Sequence, residues 1–84
     1  MKYVVVWNGA AEAMLAQLWL DRTDHIVLTR ISNELDRELE RSPLRTGVAM
    51  ESSVHRLAHA PPLAIEFYVV EDDKKVIVNA VFAS

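Results

Sequence analysis

The sequence contains no cysteine and no long hydrophobic run, and each absence excludes a class of protein. Because a chain without cysteine forms neither disulfides nor thiolate metal sites, nothing here points to an oxidising compartment. No apolar stretch approaches the ~20 residues that a membrane-spanning helix requires. The N-terminus also lacks a secretory pattern, since one Lys precedes a short apolar run that ends at Asn8 and Gly9. We therefore expect a cytoplasmic protein with no membrane partner.

Recognisable catalytic motifs are missing as well. The two glycines do not form a phosphate-binding loop, and the sequence has neither a zinc-protease signature nor a serine nucleophile elbow. Nucleotide-dependent and conventional hydrolytic enzymes are therefore not supported, and we expect no cofactor. What is present is an 84-residue chain, 51% hydrophobic and 25% charged, which suffices for one small domain with a single core.

The last third of the chain predicts a β-hairpin. Two runs rich in β-branched and aromatic residues flank an acidic turn: 63–70 and 75–82 around Glu71-Asp72-Asp73-Lys74. A two-stranded hairpin is not stable alone, so it needs further strands. The run 3–7 is the obvious first strand. The segment 53–59, which Pro61 and Pro62 close, is a weaker second candidate.

The preceding half predicts two helices. Apolar residues recur at helical spacing over 11–19 and again over 27–39. Asn8 and Asp24 are the N-cap candidates, because their short side chains can accept a hydrogen bond from a first-turn N–H, and Pro43 ends the second helix. With few residues between them, the helices should pack as an antiparallel hairpin. The predicted order is β-α-α-β-β-β, an α+β fold in which an antiparallel sheet packs on a helical hairpin.

Charge is distributed unevenly along the chain. The net charge of -3 argues against a surface made wholly for phosphate binding. Residues 42–60, however, hold Arg45 and Arg56 against a single acid, and they also contain His55 and His59. This segment is the electropositive neighbourhood of the chain.

Each basic side chain of this segment has two interpretations. Arg56 could bind a phosphate or pair with a nearby carboxylate such as Glu66. Arg45 could have a role at the phosphate or simply be a solvated loop arginine. His55 and His59 could transfer protons, because an unperturbed imidazole titrates near neutral pH. A metal site lacks a third ligand nearby, and an exposed histidine without a role is the alternative.

The aromatic residues also divide between two interpretations. At strand and helix spacings they are usually core, although they could form a platform for stacked bases. Phe67 and Tyr68 are adjacent, so one of them must face outward or toward the helices. A phenol at Tyr68 could then contact RNA or a protein partner.

A series of short elements in fixed order extends over nearly the whole chain: Val5-Val-Trp7, Ala11, Leu15, Trp19-Leu-Asp21, Val27, Thr29, Asp36, Pro43-Leu44, Gly47, Glu51-Ser52, Arg56-Leu57, Pro62-Leu63 and the closing hairpin. In order and spacing they resemble the RelE/ParE toxin superfamily, in particular its small plasmid-stabilisation-type members. On this resemblance, residues 1–84 are a single RelE/ParE-like toxin domain.

The resemblance implies the toxin of a bacterial type II toxin–antitoxin pair, which inhibits growth until a cognate antitoxin covers its surface and forms an oligomer with it. RelE-type members cleave messenger RNA on the ribosome without a metal, and ParE-type members inhibit DNA gyrase. In the ribonuclease version Arg56 matches the strand arginine of the family. Arg45, His55, Tyr68 and His59 would be the other catalytic candidates, since transesterification needs a proton acceptor, a cation on the phosphate oxygens and an acid.

A non-enzymatic binding module of the same fold is the alternative. RelE-like enzymes carry an arginine early in the third strand, where this sequence has Ala64 or Ile65. The sequence also ends in Val-Phe-Ala-Ser84, without a basic residue or a terminal Tyr. Together with the negative net charge, these departures favour a gyrase inhibitor or a non-toxic family member.

Overall fold

A computed structural model describes residues 2–84 of the chain. The elements follow one another as β1 (Val4–Trp7), α1 (Gly9–Asp21), α2 (His25–Arg41), a short 3-10 helix (Pro43–Arg45), β2 (Val48–Ala49), β3 (His55–Ala60), β4 (Leu63–Val70) and β5 (Lys75–Ala83). The predicted α+β fold is confirmed, and β2 is an additional strand of two residues. Within this described part, no helix combines the length and the apolarity needed to cross a membrane.

The strands form one sheet in the order β1-β5-β4-β3-β2. The C-terminal strands make the predicted antiparallel meander. β1 supplies the further strand that the hairpin needed, but it pairs with β5 in parallel, with Val4 beside Lys75 and Trp7 beside Val78. A parallel pair requires a long connection, and here both helices and the other three strands separate β1 from β5. The sheet is therefore mixed, while the layers are those expected.

Both helices begin where the sequence places their N-caps. Asn8 Oδ1 accepts a hydrogen bond from the backbone N–H of Ala11 at 2.9 Å and caps α1 as predicted. Asp24 stands at the N-cap of α2 but makes no side-chain cap. Its two carboxylate oxygens instead accept hydrogen bonds from Arg22, each at 2.8 Å. This bidentate pair is the stronger interaction for a carboxylate, so it takes the place of the cap.

The helices pack on one face of the sheet, and the hydrophobic core lies between the two layers. Its buried residues come from both: Ala11, Leu28, Leu35, Leu39, Ala58, Leu63, Ile65, Phe67, Val69, Val76, Val78 and Val81. We call the sheet surface beneath the helices the covered face and the opposite surface the open face. Successive residues of a strand point to opposite faces, so each strand contributes to both.

A β-bulge in the closing hairpin decides which residues of β5 reach the core. Glu66 lies opposite Ala80, whereas Phe67 lies opposite Val78, so Asn79 is an extra residue in β5. Val78 is buried before the bulge and Val81 after it. Strict alternation would have turned Val81 to the open face. The extra residue thus preserves the core and leaves the Asn79 side chain on the open side.

Candidate functional site

The open face brings together polar and aromatic side chains from neighbouring strands. His55 on β3 lies directly opposite Tyr68 on β4, and Glu66 precedes Tyr68 by two residues on the same face. The imidazole and phenol rings are stacked, with centroids 4.4 Å apart and planes 8° from parallel. Tyr68 is 39% exposed, while its neighbour Phe67 is fully buried. His55 and Tyr68, two of the catalytic candidates from the sequence, therefore lie side by side.

Glu66 gives His55 a hydrogen-bond partner. His55 Nε2 and Glu66 Oε2 are 2.9 Å apart, and the two side chains are 14% and 24% exposed. The imidazole is therefore held by a ring against its face and by a carboxylate at one nitrogen. A histidine oriented by a carboxylate is an arrangement suited to general acid–base catalysis.

A chain of hydrogen bonds continues from Glu66 to the start of α1. Asn79 Nδ2 donates to Glu66 Oε1 at 3.2 Å, and Asn8 Nδ2 donates to Asn79 Oδ1 at 2.8 Å. Asn8 is the cap of α1, so the chain ends at the backbone N–H of Ala11. The bond from His55, and then the bond from Asn79, hold the pKa of Glu66 below its ordinary value. Glu66 is therefore an ionised acceptor at neutral pH.

Arg56 lies on the covered face of β3 and is only 8% exposed. Its guanidinium donates to three backbone carbonyls: Thr46 at 2.9 Å, Ser53 at 3.0 Å and Gly47 at 3.1 Å. No carboxylate pairs with it within the described residues. The structure thus places Arg56 where it closes the loop 46–53, on the opposite face of the sheet from His55. Its predicted contact with a phosphate stays a prediction.

Gly47 allows this loop to lie directly against β3. Its φ is +67°, and a Cβ at this position would stand 2.1 Å from the carbonyl oxygen of Leu57, so only glycine fits.

Arg45, in the 3-10 helix just before the loop, is exposed and forms no ion pair in the part of the chain described. His59 is exposed and lies opposite Ala64. No hydrogen bond joins Arg45 or His59 to the His55 site within residues 2–84.

The described residues contain no group of three His, Asp or Glu side chains placed to hold a metal ion. His55 can accept or donate a proton, the phenol of Tyr68 can donate one, and Glu66 can stabilise a positive imidazolium.

Glu66 and Asn79 are the site residues that sequence reasoning missed. Their partnership depends on the β3–β4 register and on the bulge in β5, neither of which a single sequence shows. A signal was nevertheless present. Glu66 is the one charged residue in the apolar run 63–70, and Asn79 is the one polar uncharged residue in the run 75–82. Polar residues inside buried strands are unusual enough to mark a network.

No protein-family model matches the sequence, and no curated protein matches it. Solved structures do match. A chain of the RelBE2 toxin–antitoxin complex from Mycobacterium tuberculosis superposes with a TM-score of 0.77 at 16% identity, over 100% of this chain and 93% of that chain. A chain of the chromosomal ParDE toxin–antitoxin system from P. aeruginosa superposes with a TM-score of 0.70 at 14% identity, over 96% of this chain and 95% of that chain. A conserved hypothetical protein from Helicobacter pylori superposes with a TM-score of 0.64 at 15% identity, over 96% of this chain and 93% of that chain.

At these identities the likeness shows the fold. It extends over almost the full length of each chain, so it concerns the whole arrangement of helices and strands rather than a shared hairpin. The fold that the sequence resemblance implied is thereby confirmed.

Proposed function

We propose that this chain is the toxin component of a bacterial type II toxin–antitoxin pair, and that a cognate antitoxin holds it inactive. Two of the structures with its fold are a toxin–antitoxin complex and a toxin–antitoxin system. In this proposal the toxin acts in the cytoplasm and cleaves messenger RNA on the ribosome without a metal. One observation supports RNA cleavage: on the open face, the imidazole of His55 is hydrogen-bonded to Glu66 and stacked on Tyr68.

The proposed reaction is a transesterification within the RNA chain. The neutral imidazole of His55 accepts the proton of a ribose 2′-hydroxyl, and the 2′-oxygen forms a bond to the adjacent phosphorus. The bond from phosphorus to the 5′-oxygen breaks, which leaves a cyclic phosphate on one fragment. The Tyr68 phenol gives its proton to the leaving 5′-oxygen and regains one from solvent. Ionised Glu66 stabilises the imidazolium that forms.

The charge that develops on the phosphate oxygens needs a cation. We assign this role to Arg45, because it is exposed and no acid in the described chain neutralises it. Arg56 donates to the carbonyl of Thr46, the residue that follows Arg45. In this assignment Arg56 contributes by fixing the loop beside Arg45.

The test is expression of the wild type and of a His55→Ala variant, with primer extension on a translated message. Gln17→Ala, an exposed change on α1, is the control. We expect ribosome-dependent cuts and growth arrest from the wild type and the control. Loss of a general base should lower the cleavage rate of His55→Ala by about 100-fold or more. Undiminished cutting by a folded His55→Ala variant would reject His55 as the base.

A non-enzymatic toxin is the second candidate, and the position of Arg56 favours it. The Arg56 guanidinium is buried on the covered face and engaged by backbone carbonyls, so it adds no positive charge to the open face. DNA-damage signalling without RNA cuts would support inhibition of gyrase. Absence of any growth phenotype would support a family member without toxicity.

We place the antitoxin on the helical side of the molecule. Two large apolar residues beside the turn between α1 and α2 are almost fully exposed, Leu20 at 77% and Ile26 at 86%. Next to them a groove is lined by Trp19, Ile26 and Thr29, with Trp19 stacked on His25 at 4.0 Å between centroids. Exposed apolar surface of this kind marks a binding site for another protein. An amphipathic antitoxin segment would bury it.

Pull-down of the product of a small adjacent reading frame tests this placement. Ile26→Arg should weaken its binding at least tenfold, because a charge would be buried in an apolar contact. Val4→Arg is the matched control, since Val4 is also an exposed β-branched residue, at 63%, but lies on β1 at the open face. If Val4→Arg weakens binding and Ile26→Arg does not, the antitoxin covers the open face instead.

A further inference from the structure

The donor and acceptor of every hydrogen bond between α1 and Glu66 can be assigned. The backbone N–H of Ala11 can only donate, so Asn8 turns its oxygen toward it and its amide nitrogen toward Asn79. Asn79 therefore accepts through its oxygen and donates through its nitrogen to Glu66. The Glu66 carboxylate at the other end of the chain can only accept. The orientations of the two amides are therefore the same whether they are assigned from Ala11 or from Glu66.

At His55 the same reasoning locates a proton. Glu66 Oε2 can only accept, so His55 Nε2, 2.9 Å away, carries a hydrogen in both the neutral and the protonated ring. In the neutral ring Nδ1 then holds the free lone pair. No buried side-chain nitrogen or oxygen within residues 2–84 lacks a partner. Nδ1 has no protein partner there, so it is open to solvent or to a ligand.

We propose that Glu66 and Asn79 are positioning residues that hold His55 as the Nε2–H tautomer and present Nδ1 to a ligand hydroxyl as the proton acceptor. That this hydroxyl is a ribose 2′-hydroxyl rests on the function proposed above; the tautomer does not. Tyr68 fixes the plane of the ring by stacking. Asn79 is available for this role because it is the extra residue of the β5 bulge.

Changing the carboxylate to an amide should reverse the proton arrangement. In a Glu66→Gln variant Asn79 still donates, so the new amide must offer its oxygen to Asn79 and its NH₂ group to His55. Nε2 must then be the acceptor, and the ring becomes the Nδ1–H tautomer. In the double variant Glu66→Gln/Asn79→Ala nothing orients the amide. Its oxygen can turn to His55, and the Nε2–H form should return.

At about pH 8 an ordinary imidazole is neutral. Nitrogen-15 spectra of the imidazole rings at this pH distinguish the two tautomers. The chain provides its own references. His25 Nε2 lies 2.7 Å from the backbone oxygen of Trp19, so His25 should be the Nε2–H tautomer in every variant. His59, which has no hydrogen-bond partner in the described chain, reports an unrestrained ring.

The proposal requires Nε2–H at His55 in the wild type, Nδ1–H in Glu66→Gln and recovery of Nε2–H in the double variant, with His25 and His59 unchanged. An Nδ1–H wild type, or a Glu66→Gln variant that keeps the wild-type tautomer, would overturn it. A double variant that remains Nδ1–H would remove Asn79 from the proposal. Backbone amide spectra establish that each variant is folded.

The RNA cleavage rate provides a separate readout. Glu66→Gln should lower kcat about 100-fold with little change in KM, because RNA would still bind but the exposed nitrogen could no longer accept a proton. The double variant should regain part of kcat. If the chain does not cleave RNA at all, the spectra still decide the tautomer, so failure of the proposed function and failure of the positioning role give different results.

Discussion

The same strands carry different kinds of side chain on the two faces of the sheet. On the covered face, Ile65, Phe67 and Val78 are completely buried against the helices. On the open face, Glu66 and Asn79 from the same two strands are partly exposed and linked by hydrogen bonds. Burial of apolar area supplies most of the stability of a small domain, whereas a half-solvated hydrogen bond contributes little net free energy. The covered face therefore supplies most of the stability, and the polar side chains of the open face supply little of it.

Two adjacent residues of β3 show this division within a single strand. Arg56 points inward, and its guanidinium donates hydrogen bonds to three backbone carbonyls. His55 points outward, uses one nitrogen for Glu66 and leaves the other available. Both were candidates for the same reaction when only the sequence was considered. The Arg56 guanidinium is thus engaged by the loop 46–53, whereas one nitrogen of His55 has no hydrogen-bond partner within residues 2–84.

The largest effect that would test this division is the loss of Arg56. An Arg56→Ala variant should lose about 3 kcal/mol of unfolding free energy, because three carbonyl groups lose a charged donor that is itself only 8% exposed. His55→Ala should lose about 1 kcal/mol or less, since its single hydrogen bond is partly solvated. Urea unfolding of both variants measures the two values.

Arg56→Lys is the control for the hydrogen-bond geometry. An ammonium group has the charge but not the planar fork that reaches three carbonyls, so it should recover only part of the lost stability. If Arg56→Ala is instead as stable as the wild type and loses RNA cleavage, Arg56 contacts the phosphate directly. The assignment of the two faces would then be wrong at this strand.

Most of the fold could be predicted because its signals are local. The hairpin runs 63–70 and 75–82 are close to the observed β4 and β5, and Asn8 caps α1 as its short side chain suggested. The parallel pairing of β1 with β5 could not be predicted in this way. It depends on which sheet edge remains open after the whole meander has formed, and that is not a property of any one segment.

The site was predictable only in part. Alternation along a strand places Arg56 and His55 on opposite faces, but it does not say which face the helices cover. The partnership of His55 with Glu66 and Asn79 joins three strands, and it depends on a register and on one extra residue in β5. Hydrogen bonds between distant segments leave only a weak trace in the sequence, here two polar residues within apolar runs.

The smallest effect concerns the free energy that the open-face network contributes as the pH falls. Hydrogen bonds from His55 and Asn79 hold the pKa of Glu66 in the folded protein below its ordinary value of 4.5. A carboxyl whose pKa falls on folding gives stability that is fully present above the unfolded pKa and is lost as the pH falls through the folded pKa. Glu66→Gln should therefore lose less stability than the wild type as the pH falls below about 5.

Urea unfolding at a series of pH values measures this difference, and Glu38→Gln, an exposed change on α2, should follow the wild-type curve. The pKa values of Glu71 and Asp24 are also lowered, by hydrogen bonds from Tyr3 and Arg22 first of all, so every variant should still lose some stability in acid. If Glu66→Gln follows the wild-type curve as well, the network contributes no measurable stability. The open face would then be maintained entirely for binding or chemistry, because nothing in the folding free energy would account for three linked polar side chains on one sheet.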